Sequence, residues 1–474
     1  MATTYKTPGV YVEEISKFPP SVAQVETAIP AFIGYTEISD ASVQNKPKRI
    51  VSLLEYETYF GKAQNEAAIT VTINDTIDSG PPLKLTDQKF TVAMPSTSPF
   101  VMYYAMRMYF DNGGGPCYIC SVGDYSGGSV SQVALVGGLN ELEKFDEPTL
   151  YAFPDAMAVS TADSYYSLIN KALSQAQKLK DRFVIIDAFA NNSANIRSSS
   201  TLGNGVSLLK YGAAYHPFLR TVYSYAYADS AVTLAHSVTD ETNTTSTGVY
   251  DGKKLDELAD SGDSDFNLIL YNKIKTELEK QYVTLPPSSA MAGIYARVDS
   301  NRGVWKAPAN VSISGAVEPT IKITHEAQQD LNIHTSGKSI NAIRSFTGKG
   351  ILVWGARTLA GNDNEWKYVP VRRFFNMVEE SVEKASAQFV FEPNDANTWV
   401  KVRAMIENFL TLQWRAGALA GAKPEQAFYV RIGLGQTMTA DDILNGIMNI
   451  EIGMAAVRPA EFIVLKFSHK MQEA

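Results

Sequence analysis

The residues able to do chemistry are few and mostly stand apart. Cys117 and Cys120 are the only two cysteines, at the C-x-x-C spacing of a redox pair or half a zinc site. A zinc site needs two more ligands, and the five histidines at 216, 236, 325, 334 and 469 are scattered singly. Pro116 to Val122 follows the turn Gly113-Gly114-Gly115 and reads as a short buried strand. In such a strand cysteine is simply a small apolar residue, so both are assigned to the core. The glycine run has no lysine and serine or threonine behind it, so it is a turn and not a phosphate cradle.

A serine hydrolase needs a nucleophile, a base and an orienting carboxylate converging in space. His216 is the best candidate base, but it lies in Tyr215-His216-Pro217-Phe218 between bulky residues. No Gly-x-Ser-x-Gly elbow and no Gly-Thr-Ser motif is present. Ser288 and Ser289 follow Pro286-Pro287 and read as a turn with capping hydroxyls. Asp260, Asp263 and Asp265 alternate as calcium ligands do, yet the full loop pattern and its closing glutamate are missing, which leaves a solvated acidic loop. The sequons at Asn191, Asn243 and Asn310 carry little meaning without a secretion signal. The expectation is a protein without catalytic residues, cofactor or metal.

The elements around these residues describe a large packed protein. A chain of 474 residues subdivides into two to four domains, and 45% apolar with 19% charged residues is the profile of a folded one. The net charge of −8 offers no basic excess for phosphates, so nucleic acid is not an expected partner. No apolar run approaches the roughly 18 residues that cross a bilayer, and Met1 to Phe18 lacks the order of a signal peptide. Synthesis in the cytosol without membrane insertion is expected.

Along the chain, strand and helix patterns alternate. Ile29 to Tyr35 reads as a buried strand, Ser52 to Gly61 as a short helix, and Ala67 to Ala93 as a hairpin-like insertion broken by Asp78-Ser79-Gly80-Pro81-Pro82. Pro99 to Phe110 has helical spacing. Tyr151 to Pro154 is a strand, Ala162 to Lys180 a helix, and Phe183-Val184-Ile185-Ile186-Asp187 a strand apolar on both faces, as in a covered parallel sheet. Thr221 to Tyr227 adds a strand, and Asp229 to Asp265, rich in Ser, Thr, Asp and Gly, reads as a surface insertion. Helices over 372–391 and 396–419 each carry one apolar line, and Thr439-Ala440-Asp441-Asp442 has the form of a capping box. The sequence ends in two strands, Ile447 to Met454 and Glu461 to His469.

The two ends pose a problem. Val10-Tyr11-Val12-Glu13-Glu14-Ile15 is a strand cut off from the first compact unit by Phe18-Pro19-Pro20. Phe462-Ile463-Val464-Leu465-Lys466-Phe467 points apolar side chains both ways and must be covered. Two terminal strands with no place in their own domains imply strand addition between chains.

At this point the residues resemble a known family. Thr7-Pro8-Gly9-Val10-Tyr11-Val12-Glu13-Glu14, Ile29-Pro30-Ala31-Phe32-Ile33-Gly34 and Asn112-Gly113-Gly114 running into Cys117-Tyr118 are similar to the amino-terminal half of contractile tail sheath proteins. Tyr215-His216-Pro217, Pro286 to Gly293, Arg302 to Asn310, Asn341 to Arg344, Gly350 to Leu359 and Arg458-Pro459-Ala460-Glu461-Phe462-Ile463 continue the resemblance in order. Weakly matched are 62–98 and 226–275.

The resemblance implies an α/β (α+β multidomain) protein: a subtilisin-like α/β sheath domain, a C-terminal α+β sheath domain and terminal β-strand arms. The expected divisions are an arm over 1–22, an α/β region over 23–134, the subtilisin-like domain over 135–355, the C-terminal domain over 356–456 and a strand arm over 457–474. It further implies stacked hexameric rings of the chain around an inner tube protein, with baseplate and terminal cap proteins as further partners, in a virion or contractile particle. The inter-subunit arms would be Val10, Tyr11, Val12 and Ile15 with Phe462, Ile463, Val464, Leu465 and Phe467. Lys401, Arg403, Arg415, Lys423 and Arg431 could meet an acidic tube.

Overall fold

The computed structural model describes residues 21–78 and 84–465. Contacts among the described residues form two compact units: Glu26–Met377 joined by 458–465, and Val378–Val457 joined by 21–25.

The larger unit is organised by nine strands in the order Val311–Ser312, Gly350–Val353, Ile340–Phe346, Gly212–His216, Phe183–Asp187, Leu150–Ala152, Pro30–Gly34, Cys117–Ser121 and Lys48–Ile50. The six from Ile340–Phe346 to Cys117–Ser121 are parallel. The outer strands are antiparallel. Phe183–Asp187 shows why its sequence is apolar throughout. Phe183 and Ile185 enter a core with Met102, Tyr109, Met291 and Tyr295, while Val184 and Ile186 enter another with Leu139, Tyr165, Ile169 and Leu173. A parallel strand covered on both faces has no side to leave polar.

Helices supply both covers. Ala162–Leu179 begins where Thr161 Oγ1 accepts the Ser164 N–H and turns Tyr165, Ile169, Leu173 and Ala176 inward, the face its spacing predicts. Leu53–Phe60 is capped by Ser52 and closes at Gly61, whose φ of 79° suits glycine. Gly113, at φ 93°, makes the turn between the helix Met102–Asp111 and the strand Cys117–Ser121. Both cysteines are wholly buried free thiols, as core residues should be.

Two expectations need correction. The break at 134/135 is no boundary, since strands from both sides share the nine-stranded sheet. Asp229 to Asp265 is not merely a surface insertion either. Val232–Asp240 runs parallel to Ile69–Asp78, which forms the expected hairpin with Lys84–Ala93. The two weakly matched stretches thus share a four-stranded sheet and a core of Ile69, Val71, Ile73, Val232, Leu234, Leu258 and Ile274. Alternation at Val232, Leu234 and His236 carries the strand signal, and the Ser/Thr-rich composition around it hides it.

In the smaller unit Ala396–Arg415 buries Val402, Met405, Ile406, Phe409 and Leu410. The capping box forms as expected: Thr439 and Asp442 bond reciprocally at the start of Ala440–Leu444. Phe428–Arg431 and Glu451–Met454 make a two-stranded antiparallel ribbon, so the expected strand from Ile447 is shorter. Of the expected strand Glu461 to His469, residues 461–465 form no strand and pair with none among the described residues, and 466–469 lie outside them.

Candidate functional site

The hydrolase candidates come partly together. Asp187 ends the strand Phe183–Asp187, and its Oδ1 accepts the Ser288 N–H at 2.8 Å. Ser288 and Ser289 open the helix Ser288–Arg302, which corrects the expected turn with capping hydroxyls: here the carboxylate caps the helix. Burial pushes Asp187 up to about 7, against the hydrogen bond from the Ser288 N–H that pulls it down. His216 ends the neighbouring strand, held down at about 4 by burial, and its Nδ1 has no partner among the described residues. Relative exposures are 0% for Ser288, 2% for Asp187 and 5% for His216, so a substrate cannot reach them. Asp155 does the same work elsewhere. Its carboxylate accepts the N–H groups of Tyr35, Val101 and Met102 and anchors the start of Met102–Asp111, and burial pushes it up to about 7 against those bonds. These buried acids hold helices in place.

The acidic loop is tied internally. Asp260 Oδ1 accepts the Gly262 N–H, Asp263 Oδ1 accepts the Asp265 N–H, and Asp265 pairs with Lys253 at 2.5 Å.

The terminal segments are a different kind of site. Val10, Tyr11, Val12, Ile15 and Phe467 lie outside the described residues. Phe462, Ile463, Val464 and Leu465 are 67%, 79%, 77% and 72% exposed. Four consecutive large apolar side chains in water are more than the scattered single ones that a surface ordinarily carries. Just before them, Glu461 is held by Arg357 at 2.6 Å and by Asn332 at 2.7 Å. Sequence reasoning placed Glu461 and Arg357 in matching motifs and gave neither a role; an acid directly before a run of four apolar residues was the available signal.

The ribbon in the smaller unit has one edge covered and one open. The Ala455 N–H donates to Ala427 O and the Val457 N–H to Ala418 O. Odd-numbered backbone groups therefore face the partner strand, and those of Ile452 and Met454 face outward. Among the described residues no further strand pairs with Glu451–Met454. On the other strand, Arg403 Nη2 donates to Ile432 O at 2.5 Å, so this proposed tube contact is engaged in its own chain. Arg431 lies over Tyr429 and pairs with Glu451 at 3.8 Å. Lys401, Arg415 and Lys423 are exposed.

The phage tail sheath central domain family matches residues 152–359, and the phage tail sheath C-terminal domain family matches 361–470. The helical sheath of the anti-feeding prophage in its contracted state contains a chain 31% identical, with a TM-score of 0.65 over 98% of this chain and 100% of that one. The contracted sheath complex of PVC, an extracellular contractile injection system, gives 28% identity and a TM-score of 0.63 over 99% of each chain. The tail sheath protein of Burkholderia phage BcepMu is 31% identical over 148 residues, 29% of this chain. That match spans 30% of the phage protein's length. The chain belongs to the phage tail sheath family.

Proposed function

We propose that this chain is a structural subunit that polymerises helically around an inner tube and contracts to drive that tube through a target envelope. Its role is mechanical and not enzymatic, and the assembled particle is its place of action. The observation that carries this reading is the run Phe462–Leu465, exposed and unpaired within its own chain among the described residues. It is matched by an acceptor, the open edge of Glu451–Met454 in a two-stranded ribbon. A neighbour's terminal strand laid on that edge would satisfy the outward backbone groups and cover the apolar run. Because donor and acceptor are different surfaces, the contact is heterologous and propagates as a helix of stacked rings.

Strand exchange also explains how contraction can occur without dissociation. Subunits stay linked through shared sheets while their packed domains rotate between two arrangements. The energy is stored at assembly, with the extended form held kinetically until a baseplate releases it. A terminal cap closes the far end. Of the five candidate cations for an acidic tube, Lys401, Arg415 and Lys423 are exposed, and reversing their charge should weaken tube association without preventing sheath formation.

Deleting residues 1 to 16 tests the reading. The expected product is a folded, soluble chain that makes no striated cylinders in negative-stain micrographs. Cylinders as long as those of the full chain would refute exchange of the amino-terminal strand, and cylinders from a chain ending at Glu461 would refute exchange of the carboxy-terminal one.

A further inference from the structure

The motif Arg458 to Ile463 holds a charged residue whose position the function above leaves unexplained. Glu461 is met by four donors from three places in the larger unit. Arg357 gives Nε at 2.9 Å and Nη2 at 2.6 Å, Asn332 gives Nδ2 at 2.7 Å, and Tyr368 gives its hydroxyl at 3.2 Å. Burial pushes the Glu461 carboxyl up, but these hydrogen bonds and the charge of Arg357 outweigh it and hold the group below its ordinary range. Arg357 is itself fixed. Its N–H donates to Asn341 Oδ1 at 2.7 Å, and its carbonyl accepts from Asn341 Nδ2 at 2.8 Å. Asn341 is buried in the sheet strand Ile340–Phe346, where the same Nδ2 also donates to Ala214 O. Arg357 Nη1 donates to Gly361 O. The chain of contacts runs from the middle of the sheet to residue 461 through a single ion pair. Arg458 adds a second hold, donating to Asn364 O at 2.9 Å.

The position of this hold has a consequence. Phe462, the next residue, is 67% exposed. A strand alternates its faces with period two, so a shift of one residue exchanges every side chain between the two faces. Whatever fixes the backbone at residue 461 also fixes which of Phe462, Ile463, Val464 and Leu465 face each way.

We infer that Arg357 and Glu461 form a clamp that sets the register of the carboxy-terminal strand as it leaves the subunit, an inference resting on the strand-exchange reading above. In this role Glu461 is a positioning residue. A plain tether would hold the segment without caring about parity.

Parity therefore tests it, in the full-length chain. One alanine inserted between Glu461 and Phe462 should cut the yield of sedimentable cylinders by about tenfold or more, because every apolar side chain then meets the wrong face. Two alanines should restore most of the yield, although they perturb the segment more. A folding defect would strike the longer insertion at least as hard, and thermal melting of each variant checks this. In a Glu461→Gln background the penalty of the single insertion should shrink, since the strand can slip to recover its register. A single insertion that assembles like the unaltered chain overturns the clamp. So does a double insertion as poor as the single, or a penalty unchanged by Glu461→Gln. A chain ending at Glu461 separates the two readings. If it still forms cylinders, carboxy-terminal strand exchange itself is wrong; if it does not, while the single insertion does, only the clamp is wrong.

Discussion

The nine-stranded sheet and the two-stranded ribbon are both built from short strands, and they differ in what completes them. The large sheet has cores on both faces, and it tapers at its edges to Lys48–Ile50 and Val311–Ser312, strands of three and two residues that offer little to a neighbour. The ribbon has strands of four residues, and one of its edges faces outward without a strand beside it among the described residues. Two strands alone are marginally stable in water. The large sheet is completed within the subunit, and the ribbon's open edge is the surface proposed to be completed by a neighbour.

The largest effect should come from closing that edge. Ile452→Pro removes an outward N–H and leaves the bonds between Phe428–Arg431 and Glu451–Met454 in place. Cylinder formation should be lost while the melting temperature stays near that of Ile452→Val, a control that keeps the N–H. Cylinders of normal yield from the proline variant would mean that this edge accepts nothing.

The opposite result is expected in the large sheet. Ile186→Ala empties a site at 0% exposure and should cost about 2–5 kcal/mol in urea unfolding. Assembly should fall only in step with the folded fraction. If this variant blocked assembly while fully folded, the division of labour between the two sheets would fail.

Acidity provides a smaller and signed test. Asp155 and Asp187 are both held up at about 7 by burial, above their ordinary 3.8. A carboxyl raised in the folded state favours folding when protonated. Its contribution is full below pH 3.8 and is lost as pH rises through about 7. Melting temperature should therefore fall between pH 5 and pH 8 for these two groups. Asp187→Asn keeps an acceptor for the Ser288 N–H and cannot ionise, so it should flatten part of that fall. A decline equally steep in the variant would remove Asp187 from the account.

How much of this was legible in the sequence follows from how local each signal is. Phe183–Asp187 and Ala162–Leu179 were readable because their periodicities, continuous and 3.6, follow directly from burial. Cys117 and Cys120 were assigned to the core from their strand alone, and they are there. The pairing of Val232–Asp240 with Ile69–Asp78 was not legible, since more than 150 residues separate them and neither pattern names its partner. Ser288 was read as a turn because two prolines precede it, yet proline is equally at home where a helix begins. The clamp was hidden for the same reason as the sheet pairing. Arg357 and Glu461 are adjacent only in the fold, and Asn341, which aims the arginine, is a third remote position.

The smallest expected effect concerns Phe391, in the link between Val369–Ser386 and Ala396–Arg415. Its φ is 71°, in the left-handed region, and its side chain is 102% exposed. A bulky L-residue there costs roughly 1–2 kcal/mol, and an exposed ring recovers none of it by burial. The backbone is held regardless: the Glu392 N–H donates to Phe389 O at 3.1 Å, and Pro393 follows. Phe391→Gly should relieve the strain and lose some of the gain to the greater freedom of the unfolded chain, for a net rise of about 0.5–1 kcal/mol in urea unfolding. Phe391→Ala keeps a Cβ at the same φ and should leave stability nearly unchanged. The difference between the two variants isolates the backbone term, and a Phe391→Gly chain no more stable than Phe391→Ala would show that no strain is stored there.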